Sequence, residues 1–201
     1  MEHFIHFIRD LKQTGAIAPS SKFLAKDLAS QLRNDISKKD CPPLKILEIG
    51  PGTGPLTKVI THLLRPQDRM DIVEIHQHFY QTIKEQFVRP NVFIHHEDIL
   101  QFRPGLTYDY IFSSLPYEAM SESLTEKIWQ RKLDLCSQNA FICYFKYVSF
   151  RKFKSDFEEQ IVNRYQRNKK IVLRNLPPAK LFTLEITGNE NSASPWIEHV
   201  A

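Results

Sequence analysis

Three carboxylates stand at the ends of apolar runs, spaced as a ligand would need them. In LEIGPGTGPLT, Glu48 precedes Gly50, Pro51, Gly52 and Gly54. Glycines at this density allow a tight turn and let a ligand approach the backbone. The spacing is GxGxG rather than the GxGxxG of dinucleotide binders, and no Lys-Ser/Thr follows as in a P-loop. A carboxylate beside the loop would repel a phosphate and favours a cationic ligand instead. Twenty-four residues after Gly50, the next apolar run ends in Glu74, suited to the two hydroxyls of a ribose. HHEDI then brings Asp98, suited to an adenine amino group. The neighbours Ile75 and Ile99 are assigned to the same site. A cation, a ribose and an adenine without phosphate describe S-adenosylmethionine, and that is the expected cofactor. No metal is expected.

A second chemical signal is FSSLPYEAM, residues 112–120. Its SLPY differs by one residue from the Asn-x-Pro-Tyr of many enzymes that methylate adenine on its exocyclic amine. Ser114 takes the place of that Asn and offers a single hydroxyl, a poorer fit to the two N–H bonds of an adenine amine. A primary alkyl amine makes other demands. With a pKa of about 10 it must lose a proton at a cost of about 4 kcal/mol at pH 7. It needs a base, and an aromatic surface for its growing cationic head. Tyr117 and Glu118 are the candidate catalytic pair, with Ser114 facing the cofactor. The plainer reading of Pro116-Tyr117 is a turn after a strand, with the ring packed on the cofactor.

The elements that must position these residues alternate. The pattern predicts helices over 4–13, 20–37, 57–64, 78–87, 121–136 and 151–166. It predicts strands over 45–49, 70–75, 91–96, 108–114, 140–147, 169–175 and 177–187. The repeating strand–helix order implies an α/β, doubly wound, mainly parallel sheet of Rossmann-like type with seven strands. Only Leu-Pro-Pro follows Asn175 before the last strand, too short for a helical crossover, so the last two strands should pair antiparallel. We divide the chain into N-terminal amphipathic helices over 1–40, a cofactor-binding domain over 41–187 and a polar tail over 188–201.

Composition narrows the partners. Net charge is +4, unevenly spread: residues 146–180 carry ten Lys/Arg against three acids, and residues 46–145 carry nine against twelve. Basic flanks suit nucleic acid or anionic lipid. No run reaches the length of a membrane span, and the N-terminus lacks a secretory pattern. Cys41, Cys136 and Cys143 form no CxxC pair and are expected reduced, in a cytoplasmic protein. In MEHFIHFIRDLK, Met1, Phe4, Ile5, Phe7, Ile8 and Leu11 share a broad helical face. That pattern fits a helix lying at an anionic membrane surface, or one packed on the protein's own core.

The set E-x-G-x-G-x-G, VE and ED resembles the class I, Rossmann-like methyltransferases. FIRDLKQTGAIAPSSKFLAKDLA (7–29), LEIGPGTG (47–54), SSLPYEAM (113–120) and RNLPPAKLFTLE (174–185) are similar, in that order, to bacterial phosphatidylethanolamine N-methyltransferases of the soluble, membrane-associated type. The glycine loop and SLPY are shared with rRNA adenine dimethyltransferases, which carry Asn in that motif and normally add a helical C-terminal domain. The resemblance implies S-adenosylmethionine as cofactor, phosphatidylethanolamine as acceptor on the way to phosphatidylcholine, and a monomer at the inner membrane. It implies cofactor contacts at Glu48, Gly50, Gly52, Gly54, Glu74 and Asp98. It also puts Ile17 and Ser20, in the GAIAPSS turn, near the methionine end. That family commonly has Gly at the position of Ser114 and an apolar residue at that of Tyr117. A nucleic-acid substrate is the less favoured alternative.

Overall fold

The structure is a computed structural model that describes residues 21–148, 155–175 and 177–187. The helix read over 4–13, Ile17, Ser20 and the tail from 188 lie outside the described residues.

The central parallel strands form because their apolar runs have both faces to fill. β1 (Lys45–Ile49) and β2 (Arg69–Glu74) are buried along nearly their whole length, as parallel strands covered on two sides must be. β3 (Val92–His96), β4 (Tyr108–Ser113), β5 (Cys136–Tyr147), β6 (Gln166–Val172) and β7 (Ala179–Thr187) complete a seven-stranded sheet in the order β3-β2-β1-β4-β5-β7-β6. β1 to β5 pair in parallel, and β7 runs antiparallel to both β5 and β6. The expected antiparallel closing pair is therefore present. The hairpin also inserts its second strand between the first and the parallel body of the sheet.

Six helices are described: α1 (Lys22–Leu28), α2 (Ser30–Ile36), α3 (Pro55–Leu63), α4 (Gln77–Gln86), α5 (Glu122–Asp134) and α6 (Asp156–Tyr165). Alternate strand residues feed two cores. Leu47, Ile49 and Ile111 pack with Trp129 and Tyr144 on one face, and Ile46, Tyr110 and Phe112 pack with Leu24, Leu28 and Ile60 on the other.

Three boundaries differ from the sequence reading. The helix read as one over 20–37 breaks at buried Ala29 (φ −84°, ψ 6°), which caps α1 and starts α2. β5 begins at Cys136, because extra residues bulge out of β5 between the Tyr108–Cys136 pair and the Tyr110–Phe141 pair, where the register resumes. β6 starts at Gln166, directly where α6 ends, and is exposed up to its last residue. Arg167, Lys169 and Lys170 on it are what an open sheet edge carries against strand addition.

Candidate active site

β1, β2 and β4 end level at one edge of the sheet. The N–H of Gly50 donates to Val73 O (3.0 Å), that of Ser114 to Ile49 O (3.0 Å) and that of Glu97 to Glu74 O (3.2 Å). Strand order reverses between β1 and β4, so the crossing loops diverge there and leave a crevice, the usual ligand position in open α/β sheets. A cavity of about 370 Å³ lies at this point, and Gly50, Glu74, Ile75, Asp98, Ile99 and Ser114 all line it.

The glycine loop is shaped for close approach. Gly50, Gly52 and Gly54 have φ of 67°, 60° and 83°, in the left-handed region. A Cβ on Gly50 would lie 2.8 Å from the Leu115 side chain, and one on Gly54 would lie 2.8 Å from both Ile83 and Phe87. At Gly52 the same position opens onto empty space. Gly54 caps α3 and Pro55 opens its first turn, where a missing N–H costs nothing.

The carboxylates differ in their surroundings. Glu74 accepts from the N–H of His76 (2.8 Å) and of Gly52 (3.4 Å), which ties the loop to the end of β2. Burial nonetheless pushes its pKa up. Asp98 accepts from the Leu100 N–H at 2.9 Å, and its carbonyl caps the turn through Gln101 and Phe102. Glu48 is fully buried beneath the loop, not on the cavity wall, and neither carboxylate oxygen has a hydrogen-bond partner. Desolvation raises its pKa to about 8; Thr57, close but outside hydrogen-bond geometry, opposes the shift, and Glu74 adds to it. A buried carboxylate with two unused acceptors is a site for a cation. The same carboxylate with Glu74 beside it is unsuited to a phosphate. The residues present therefore fit S-adenosylmethionine.

Tyr117 and Glu118 do not line the cavity. A single 3-10 turn over Tyr117–Ala119 carries the Tyr117 ring inward, where it is 1% exposed and packed against Trp129 and Tyr144. Its hydroxyl lies 2.6 Å from Ser113 Oγ and accepts from Lys132 Nζ at 2.9 Å. Lys132 is itself fully buried, with Nζ 2.9 Å from the Trp129 ring centre, and desolvation holds its pKa well below the usual lysine value. Glu118 pairs with Lys146 (3.4 Å), which also reaches buried Glu158 (2.9 Å). The exposed aromatic face expected at Tyr117 is thus replaced by a latch beneath the turn. Leu115, Met120, Leu124 and Ile128 form an apolar stretch of the cavity wall. Sequence reasoning missed these, although Met120, Leu124 and Ile128 recur every four residues and mark one helical face.

The model of the ribosomal RNA adenine dimethylase family matches residues 20–149, which hold the glycine loop, all three acids and SLPY. The chain belongs to the ribosomal RNA adenine dimethylase family. The chain is 26% identical over 177 residues to an ornithine lipid N-methyltransferase of Singulisphaera acidiphila, covering 83% of this chain and 85% of that one. It is 36% identical over 86 residues to ribosomal RNA small subunit methyltransferase A of Mycoplasma capricolum, covering 39% of this chain but 31% of the relative. Among solved structures, the N-methyltransferase NodS of Bradyrhizobium japonicum superposes with a TM-score of 0.59 at 12% identity, covering 81% of this chain and 97% of that one. A carbon methyltransferase, CurJ, gives 0.63 at 14% identity over 81% of this chain, which spans 54% of it. The plantazolicin methyltransferase BpumL, solved with S-adenosylhomocysteine, gives 0.59 at 15% identity over 83% of this chain and 84% of that one. The fold is the Rossmann-like class I methyltransferase fold, and this family member is an S-adenosylmethionine-dependent methyltransferase. Among the described residues no cluster of three metal-ligating side chains occurs, and no helix is long and apolar enough to cross a membrane.

Proposed function

We propose that the enzyme methylates the primary amine of a membrane lipid head group, phosphatidylethanolamine or an ornithine lipid. The observation that carries this reading is the extent of the lipid N-methyltransferase match, 83% of this chain and 85% of the relative, against 39% for the RNA enzyme. Ser114 in place of Asn supports it, because an adenine amine loses its best partner there.

In this reading Glu48 attracts the ammonium of the cofactor's amino-acid end from beneath the glycine loop, while Glu74 meets its ribose and Asp98 its adenine. Gly50, Pro51, Gly52 and Gly54 give it backbone room, and Ile75 and Ile99 flank the base. Ile17 and Ser20 are proposed at the methionine end. When bound, the cofactor supplies a methyl group on a sulfonium centre, open to in-line attack. The turn 114–117 must then hold the acceptor lone pair in line and keep water out. Tyr117 acts there as a positioning residue, pinned by Ser113 and Lys132. Glu118 can serve as base only by leaving Lys146. A base role predicts that Glu118→Gln loses turnover at pH 7 and recovers it towards pH 10. A pairing role predicts a loss independent of pH.

A second reading, adenine methylation in RNA, is favoured by the family model over 20–149. The deciding experiment offers labelled S-adenosylmethionine with phosphatidylethanolamine vesicles, ornithine lipid vesicles and unmodified rRNA in parallel. Label in either lipid supports the proposal. Label in RNA alone rejects it.

A further inference from the structure

We infer that the carboxyl end of the sheet on its β5–β6 side is a docking surface for an anionic lipid bilayer. This rests on the lipid reading above and names where the membrane lies relative to the site. β6 and β5 both run antiparallel to β7, so both end at the same edge as β1 and β4. Val172 and Tyr147 pair with the same residue, Ala179, and the chain beyond each emerges beside the other. Val148 and Leu173 therefore stand about 10 Å apart, two strand spacings, on the edge where the cavity lies. The start of α1 joins them: the Ser21 N–H donates to Asn175 Oδ1 at 2.9 Å, which brings Phe23 to the turn after β6.

The three apolar side chains are exposed, Leu173 by 76%, Val148 by 43% and Phe23 by 40%. Cations flank Phe23. Lys22 Nζ and the Arg174 guanidinium each lie 5.5 Å from the Phe23 ring centre, and Lys26 is exposed one turn along α1. The acid of α1, Asp27, is paired with Lys170 at 2.8 Å. Branched aliphatic side chains set among lysine and arginine match a bilayer interface, where the apolar groups enter the acyl boundary and the cations meet lipid phosphates. A nucleic-acid backbone would use the cations and stack on Phe23 but gain nothing from Leu173 or Val148. β6 lies three strand spacings from β4, about 14 Å, so a protein seated by this edge would hold its cavity next to the head groups.

The test is cosedimentation of the full chain with vesicles of phosphatidylglycerol and phosphatidylcholine, compared with phosphatidylcholine alone. Two double variants are used, Val148→Ser with Leu173→Ser and Lys22→Glu with Arg174→Glu. Each should weaken binding to the anionic vesicles at least tenfold. Affinity for S-adenosylhomocysteine and methylation of a short-chain, monomeric phosphatidylethanolamine should stay within twofold, which reports intact folding. Variants that bind vesicles like the wild type overturn the surface, even if the lipid is methylated. Vesicle binding lost in both variants supports it, even if no lipid is methylated and the acceptor reading fails. Salt-sensitive RNA binding that only the charge reversal removes, with no vesicle binding by the wild type, overturns it.

Discussion

Glu48 is the residue in which folding and function pull apart. Its folded pKa of about 8 stands above the ordinary carboxylate value of 4.5. Between these values the folded protein holds a proton that the unfolded chain has released. Its contribution to stability is therefore complete below pH 4.5, falls as pH rises, and is gone above pH 8, for a total of order 5 kcal/mol. Glu48→Gln removes the ionisable group. We expect its melting temperature at pH 9 to exceed that of the wild type, while cofactor affinity falls at least tenfold. Thermal melts from pH 5 to 9 and calorimetric titration with S-adenosylhomocysteine check the pair of effects. Since the ammonium of the ligand favours the carboxylate, binding at pH 7 should release a proton, visible as a dependence of the observed heat on buffer ionisation enthalpy. Lys132 runs in the opposite sense. Its folded pKa is lowered, so its stability contribution rises with pH up to the unfolded value of 10.5. Lys132→Met should flatten that alkaline rise. It should also free the Tyr117 hydroxyl of one partner and lower turnover more than cofactor affinity.

At the scale of elements, the strand–glycine–helix unit is the least tolerant part of the site. Gly54→Ala must hold φ near +83° and place a methyl 2.8 Å from Ile83 and Phe87. Backbone strain and overpacking together should cost about 2–4 kcal/mol, measurable by urea unfolding. Gly52→Ala meets no neighbour and should cost only about 1 kcal/mol of strain, so a larger loss would show in cofactor binding. β1, β2 and β4 were legible because both their faces are buried and their apolar runs are nearly unbroken. The acids at Glu74 and Asp98 were legible because strand ends at a switch point are where ligands sit. Other features were not written in any period. Nothing local distinguishes Ala29 as a break between two helices. A four-residue motif does not say whether its 3-10 turn aims Tyr117 inward or outward. Lys132 reads as a solvated position on a charged helix, although Thr125, Ile128 and Trp129 before it trace the buried stripe it completes.

For the whole molecule, cofactor binding should be a large share of stability. A ligand at about 100 times its dissociation constant adds about 2.7 kcal/mol, or roughly 5–10 °C for a chain of this size. S-adenosylhomocysteine should give that shift in a thermal melt. ATP, which presents the same adenosine with phosphates, should give little, because it brings no ammonium to draw Glu48 into its ionised form and the glycine loop has no Lys-Ser/Thr for its phosphates. A comparable shift with ATP would contradict the role given to Glu48.

The place of β7 between β5 and β6 bears on how the protein is made. Strands 1 to 5 can assemble in the order in which a ribosome delivers them, but β6 has no partner until β7, the later of the two, has emerged. Until then the apolar edge of β5 stays open to other chains, and Phe182, Leu184 and Ile186 are missing from the core above Tyr144. Nascent chains stalled before residue 179 should be protease-sensitive and prone to aggregate, and chains released beyond 187 should be neither. Translation of the final strand, rather than of the catalytic motifs, is then the step that commits the enzyme to its fold.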